Sequence, residues 1–156
     1  VYSFGLAFFI ISLIMFGIFG SMKLGLVAIL PNTFPMLTVF GLMGWLDFNL
    51  DITTLMTAPI IIGIAVDDTI HFITHYRLSL LKGASISEAI HSTLHEVGQA
   101  IIFTTLILMS IFFFFIPVSH VGVSRFSILA VIAVFSALLA DLFLLPALCR
   151  VLRVRV

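Results

Sequence analysis

Cysteine is almost missing from the chain: Cys149 alone leaves no internal disulfide, no zinc ribbon and no CxxC redox pair. Charge is equally scarce. Asp, Glu, Lys and Arg make up 9% of the 156 residues and balance to a formal net charge of +0, so nucleic acid finds no electrostatic footprint to bind. The polar surface of a soluble domain is also absent, because hydrophobic residues account for 62% of the chain and mean hydropathy is +1.35. What remains is an integral membrane chain. It begins at Val1 inside an apolar run with no charged n-region, so nothing suggests a signal peptide, and it reads as an excerpt of a longer protein. No cofactor is expected.

Five segments approach the ~20 apolar residues needed to cross ~30 Å of hydrocarbon. They are Val1 to Gly20, Leu24 to Leu46, Ile52 to Tyr76, Gln99 to Pro117 and Val121 to Leu145. The expected fold is an all-α membrane domain of five transmembrane helices plus one interfacial helix over residues 85–97. Lys23, Arg77, Lys82, Arg150, Arg153 and Arg155 fall on one face of the membrane and only Arg125 on the other. The positive-inside rule makes the first face cytoplasmic, with residues 21–23, 77–98 and the C-terminal tail. Arg125 lies one turn inside the last segment, where its stem can snorkel to the outer interface.

The connection between the third and fourth crossings is itself organised. Ser85-Ile86-Ser87-Glu88 has the S-x-x-E form of a capping box and follows Gly83, which predicts a helix start. Beyond it, Ile86, Ala89, Ile90, Thr93, Leu94 and Val97 recur at helical spacing, while Glu88, His91, Ser92, His95 and Gln99 take the other side, as in a helix lying in the membrane interface. Within the crossings, Pro31, Pro35 and Pro59 free backbone carbonyls. Each marks either a packing kink or a moving hinge.

The most informative residues are Asp67 and Asp68, two carboxylates in a segment otherwise fit to span a bilayer. An ionisable side chain at that depth costs at least ~2.5 kcal/mol on insertion scales, which makes such groups functional candidates by default. Asp67 falls ~22 Å from the outer end of its helix, slightly to the cytoplasmic side of the midplane. Removal from water with no cation alongside favours the neutral acid, so the pair can gain and lose a proton during a work cycle; the competing reading is that one acid only caps or hydrogen-bonds to a neighbouring helix. Gly63 lies four residues before Asp67 and shares its face, leaving room for a helix to approach above the acid and shield it from lipid. Thr104 and Thr105, at similar depth in the fourth crossing, and His71, one turn below Asp67, are the candidate relay partners. A threonine hydroxyl bonded to its own helix backbone is the competing reading for the first two, and a simple interfacial anchor is the competing reading for His71. Asp141, near the inner end of the last crossing, is expected to be hydrated.

These residues carry a resemblance. Gly63-Ile64-Ala65-Val66-Asp67-Asp68-Thr69-Ile70-His71-Phe72, followed by His75-Tyr76-Arg77, resembles the central-helix signature of the resistance-nodulation-division (RND) superfamily, in particular its MMPL and Patched-like exporter branch with a sterol-sensing-domain-like bundle. Leu30-Pro31-Asn32 with Pro35, Gly41 to Gly44, Glu96-Val97-Gly98, Phe103-Thr104-Thr105, Ala140-Asp141-Leu142 and Pro146-Ala147-Leu148 extend the likeness over essentially the whole chain. The resemblance implies the last five helices of one half of a duplicated bundle, with the C-terminal half suggested by the Arg-rich tail. It further implies a bacterial inner-membrane, proton-driven exporter of a lipid or other hydrophobic substrate, with Asp67 and Asp68 as proton carriers. Its partners would be the lipid bilayer, that substrate, the opposite transmembrane half and the extracytoplasmic domains.

Two other readings stay open. A sterol- or lipid-sensing module that does not transport would have the same helices. His71-x-x-x-His75 and His91-x-x-x-His95 with Glu88 have the spacing that places two imidazoles on one helix face, as a membrane metalloenzyme would need.

Overall fold

Backbone groups inside lipid have no water to bond, and a helix satisfies them within one segment. The computed structural model describes residues 2–48 and 52–152. It contains α1 (Tyr2–Phe19), α2 (Met22–Trp45), α3 (Ile52–Leu81), α4 (Ile86–Phe115) and α5 (Val121–Leu139), which runs through a π-helical turn, Ala140–Leu144, into α6 (Leu145–Val151). Among the described residues there is no strand. The segments Lys23–Trp45, Ile86–Phe115 and Val121–Val151 are each long and apolar enough to cross a membrane. Val1 and the arginines at 153 and 155 lie outside the described residues.

The turns follow from local chemistry. Gly20, at φ +58°, closes α1 with its N–H on the Phe16 carbonyl at 3.1 Å, in the left-handed conformation that a residue without Cβ adopts freely. Gly83 does the same between α3 and α4 at φ +91°. The capping box at Ser85 is formed: the Glu88 N–H donates to Ser85 Oγ at 3.3 Å, and the Ser85 N–H donates to Glu88 Oε2 at 2.8 Å. These bonds hold the Glu88 carboxyl below its ordinary range. Because the folded value is the lower one, the contribution of the cap is present above the ordinary carboxylate range and is lost as pH falls through the folded value. Ser85→Ala is expected to weaken the start of α4 by ~1 kcal/mol, read as faster amide exchange over residues 86–90.

The interfacial helix expected over residues 85–97 and the crossing expected over 99–117 are a single helix, Ile86–Phe115. Gly98 at their junction is a contact site: a Cβ there would meet Leu142 Cδ2 at 3.4 Å. At this glycine α4 meets the Leu142 side chain of the π-helical turn, and the hydrogen-bonded run continues through it. α3 likewise continues past Tyr76 to Leu81.

Neither α2 nor α3 breaks at its prolines. Around Pro31 and Pro35, side chains add bonds to the carbonyls of α2: Asn32 Nδ2 to Ala28 O at 2.8 Å, Thr33 Oγ1 to Ile29 O at 2.9 Å and Thr38 Oγ1 to Phe34 O at 3.0 Å. These bonds fall on carbonyls beside those of Val27 and Pro31, the two that the prolines leave without an N–H four residues on.

α3 is the central helix and packs against α1, α2, α4 and α5. It contributes to two core clusters, one with Phe72, Ile73 and Tyr76 against Ala28 and Leu145, the other with Ile61 against Val39, Leu129 and Ala133. Arg77 Nη1 donates to the Phe19 carbonyl at 3.2 Å, satisfying one of the orphan acceptors at the end of α1. Arg125 ends its reach 5.1 Å from the centroid of the Phe48 ring, a cation–π contact.

Candidate functional site

Consecutive residues on a helix point about 100° apart, so Asp67 and Asp68 cannot share one environment. Asp68 is half-buried, whereas the Asp67 side chain is 74% exposed. Both line an open cleft of about 610 Å³ between α3 and α4, together with Gly63, Thr104, Ile107 and Leu108. The helix approach expected at Gly63 does not occur within this bundle, since a Cβ placed there would meet nothing within 4 Å. The face of α3 that carries Gly63 and Asp67 is left bare by the other described helices, and none of them shields the Asp67 carboxyl.

Thr104 and Thr105 separate in the same way. Thr104 opens onto the cleft, and its hydroxyl donates to its own helix, at 3.1 Å from Ala100 O and 3.0 Å from Ile101 O. Thr105 is buried and does not line the cleft. His71 Nε2 lies 3.7 Å from Asp67 Oδ1 across one turn, so the carboxylate and the imidazole occupy one exposed face.

His75 turns away from this pair and clasps α4. Its Nδ1 is 3.1 Å from Thr93 Oγ1 and its Nε2 is 3.0 Å from Glu96 Oε2. The Thr93 hydroxyl spends its hydrogen on Ala89 O at 2.7 Å, leaving its oxygen to accept from the ring. Both ring nitrogens thus lie within hydrogen-bond distance of oxygens on α4. The two HxxxH pairs do not converge: among the described residues no three His, Cys, Asp or Glu side chains come together closely enough to hold a metal ion.

Asp141 is the principal departure from the sequence reading. Instead of being hydrated it is 1% exposed, with its Oδ1 accepting a 2.8 Å hydrogen bond from Thr69 Oγ1. Its Oδ2 is buried without a hydrogen-bond partner, as is the Oδ1 of Asn32. A signal for this burial exists in the sequence. Ser127, Ala130, Ala133, Ala137 and Ala140 form a stripe of small residues at helical spacing, every one of them buried, and Asp141 continues it on the face where helices approach most closely.

A bundle of this kind, helical throughout, apolar outside and carrying paired acids on its central helix, has the architecture of an integral membrane domain. A profile of the AcrB/AcrD/AcrF family matches residues 2–154, and the chain belongs to that family, within the RND superfamily. It is 31% identical over 102 residues to the hopanoid transporter HpnN of Burkholderia multivorans, covering 65% of this chain and 12% of that protein. It is 25% identical over 147 residues to the solvent-resistant pump membrane transporter SrpB of Pseudomonas putida, covering 90% of this chain and 14% of that one. The chain thus spans about an eighth to a seventh of the length of these curated relatives. The central-helix resemblance to RND transporters and the family match agree.

Proposed function

We propose that this chain is part of the transmembrane engine of a proton-driven exporter of lipids or other hydrophobic molecules, with Asp67 and Asp68 as its proton carriers. The observation that carries the reading is the convergence of Asp67, Asp68 and Thr104 on one cleft along the central helix. A carboxylate there changes charge when it takes up a proton, and a charge change at mid-depth in a bilayer alters which packing of the helices is favoured. The unshielded face of α3 is the surface against which the opposite transmembrane half packs, closing the cleft from lipid. In this orientation the α3–α4 turn and the C-terminal tail face the cytoplasm of a bacterial inner membrane, in keeping with the distribution of basic residues. The names of the relatives, a hopanoid transporter and a solvent-resistant pump, support a hydrophobic cargo.

The test uses the intact protein in liposomes with an internal pH dye and hopanoid or organic solvent as the offered cargo. Cargo-stimulated proton flux is the expected result. Its absence in a folded preparation would favour the lipid-sensing reading, and bound sterol would become the next measurement. Thr104→Val, which removes the hydroxyl at nearly constant volume, is expected to slow this flux while leaving thermal unfolding unchanged, since the hydroxyl bonds only to its own helix in the structure.

A further inference from the structure

We propose that Asp141 is a second proton-binding station, buried behind the Asp67–Asp68 cleft and held by Thr69, and that its occupation is tied to the packing of the π-helical turn. The inference rests on the proton-coupled reading above, but its geometry is independent of the cleft. Asp141 is 1% exposed and Thr69 is fully buried. The Thr69 hydroxyl fixes Oδ1 at 2.8 Å, which leaves Oδ2 enclosed with nothing to accept from.

The surroundings of that oxygen are short of donors. Ala28, Ile73 and Leu145 belong to one core cluster. One helical turn further along α2, α3 and the α5–α6 helix stand Asn32, Thr69 and Asp141, each on the same helix face as the residue one turn from it. The Asn32 amide nitrogen is committed to Ala28 O at 2.8 Å and to Met15 Sδ at 3.9 Å, while the Asn32 Oδ1 is a second buried oxygen without a partner. Both are acceptors without a donor, and a proton on Asp141 Oδ2 removes the charge from the enclosed carboxyl group. A carboxylate would instead leave a desolvated charge with no cation, and burying an unpaired charge is among the costliest arrangements in a protein interior.

No basic residue relieves this. The ion pairs among the described residues are His71 with Asp67 and His75 with Glu96. From α3 the titratable neighbour is Asp68, which interacts electrostatically with Asp141. α2 presents the neutral Asn32, α5 presents Ser136 and Ala137, and α4 meets the turn through Gly98. On α6 the titratable groups are Cys149, two turns away and buried, and Arg150 beyond it, which is exposed. Uptake joins one proton to the carboxylate and forms the O–H bond on Oδ2; release requires water or a cation to reach that oxygen.

The π-helical turn provides the means of opening. A π turn is one inserted residue within an α-helix and occurs preferentially at functional sites. Moving that insertion along the helix rotates the residues it passes by about 100°, which would carry Asp141 away from Thr69 and expose Oδ2. Proton release and helix rotation are then the same event.

The test is acid-minus-alkaline infrared difference spectroscopy on the intact protein in liposomes. The expected result is a protonated-carboxyl C=O band that disappears in Asp141→Asn and shifts in Thr69→Val, which removes the hydrogen bond to Oδ1 while keeping the volume. The band is expected to persist in Asp67→Asn/Asp68→Asn, so loss of transport in that variant and loss of the band are separate outcomes. Should Asp141→Asn fail to fold, the Thr69→Val shift decides. A spectrum with no such band, or a band indifferent to both substitutions, would overturn the proposal whatever the transport assay gives.

Discussion

Asp67→Asn combined with Asp68→Asn is expected to reduce gradient-driven transport and cargo-stimulated proton flux to the level of empty liposomes, with insertion and thermal unfolding unchanged. The amide matches the size of the carboxyl group but cannot exchange a proton, so the substitution removes coupling without removing volume. The two positions are not equivalent. Asp68 is half-buried and adjoins Thr69, whereas the Asp67 side chain is 74% exposed and faces His71 at 3.7 Å. Asp68→Asn alone is therefore expected to account for most of the loss, and Asp67→Asn alone for a partial loss. Full transport by the double variant in a tight proteoliposome would remove proton coupling at this pair from consideration.

Phe72→Ala is expected to be the most destabilising of the single substitutions considered, by ~3–5 kcal/mol, because it deletes a fully enclosed ring and leaves a cavity that rigid helices close poorly. Phe72 is 0% exposed and packs in the cluster that joins α1, α2, α3, α4 and α6. It also lies one turn from Asp68, so a cavity there loosens the seat of the half-buried acid. The matched control is Phe103→Ala. Phe103 is 66% exposed, and truncating an exposed ring creates no cavity in the bundle. Thermal unfolding in detergent separates the two: a large drop in Tm for the first and almost none for the second. Equal drops would contradict the placement of α3 at the centre of the bundle.

The chain's own residues determined a good deal of this. Apolar runs of membrane length, with turns at Gly20 and Gly83 and the Ser85–Glu88 box, set where helices start and stop, because capping and positive-φ demands act over a few residues. The acids of α3 were legible because a charged pair in an apolar helix stands out wherever that helix packs. Azimuth was decided by the tertiary structure alone. Phe72 at 0% exposure and Phe103 at 66%, or Leu145 at 0% and Leu106 at 52%, look alike in the sequence, since lipid and protein core select the same side chains. With no polar face to contrast with a buried one, helical periodicity carries little information about which side faces in. For that reason Asp67 proved bare where shielding was expected, Gly98 proved a contact where a break was expected, and Asp141 proved enclosed where hydration was expected. Depth along a helix follows from counting residues, whereas enclosure depends on which neighbours arrive, and that is fixed only when the helices pack.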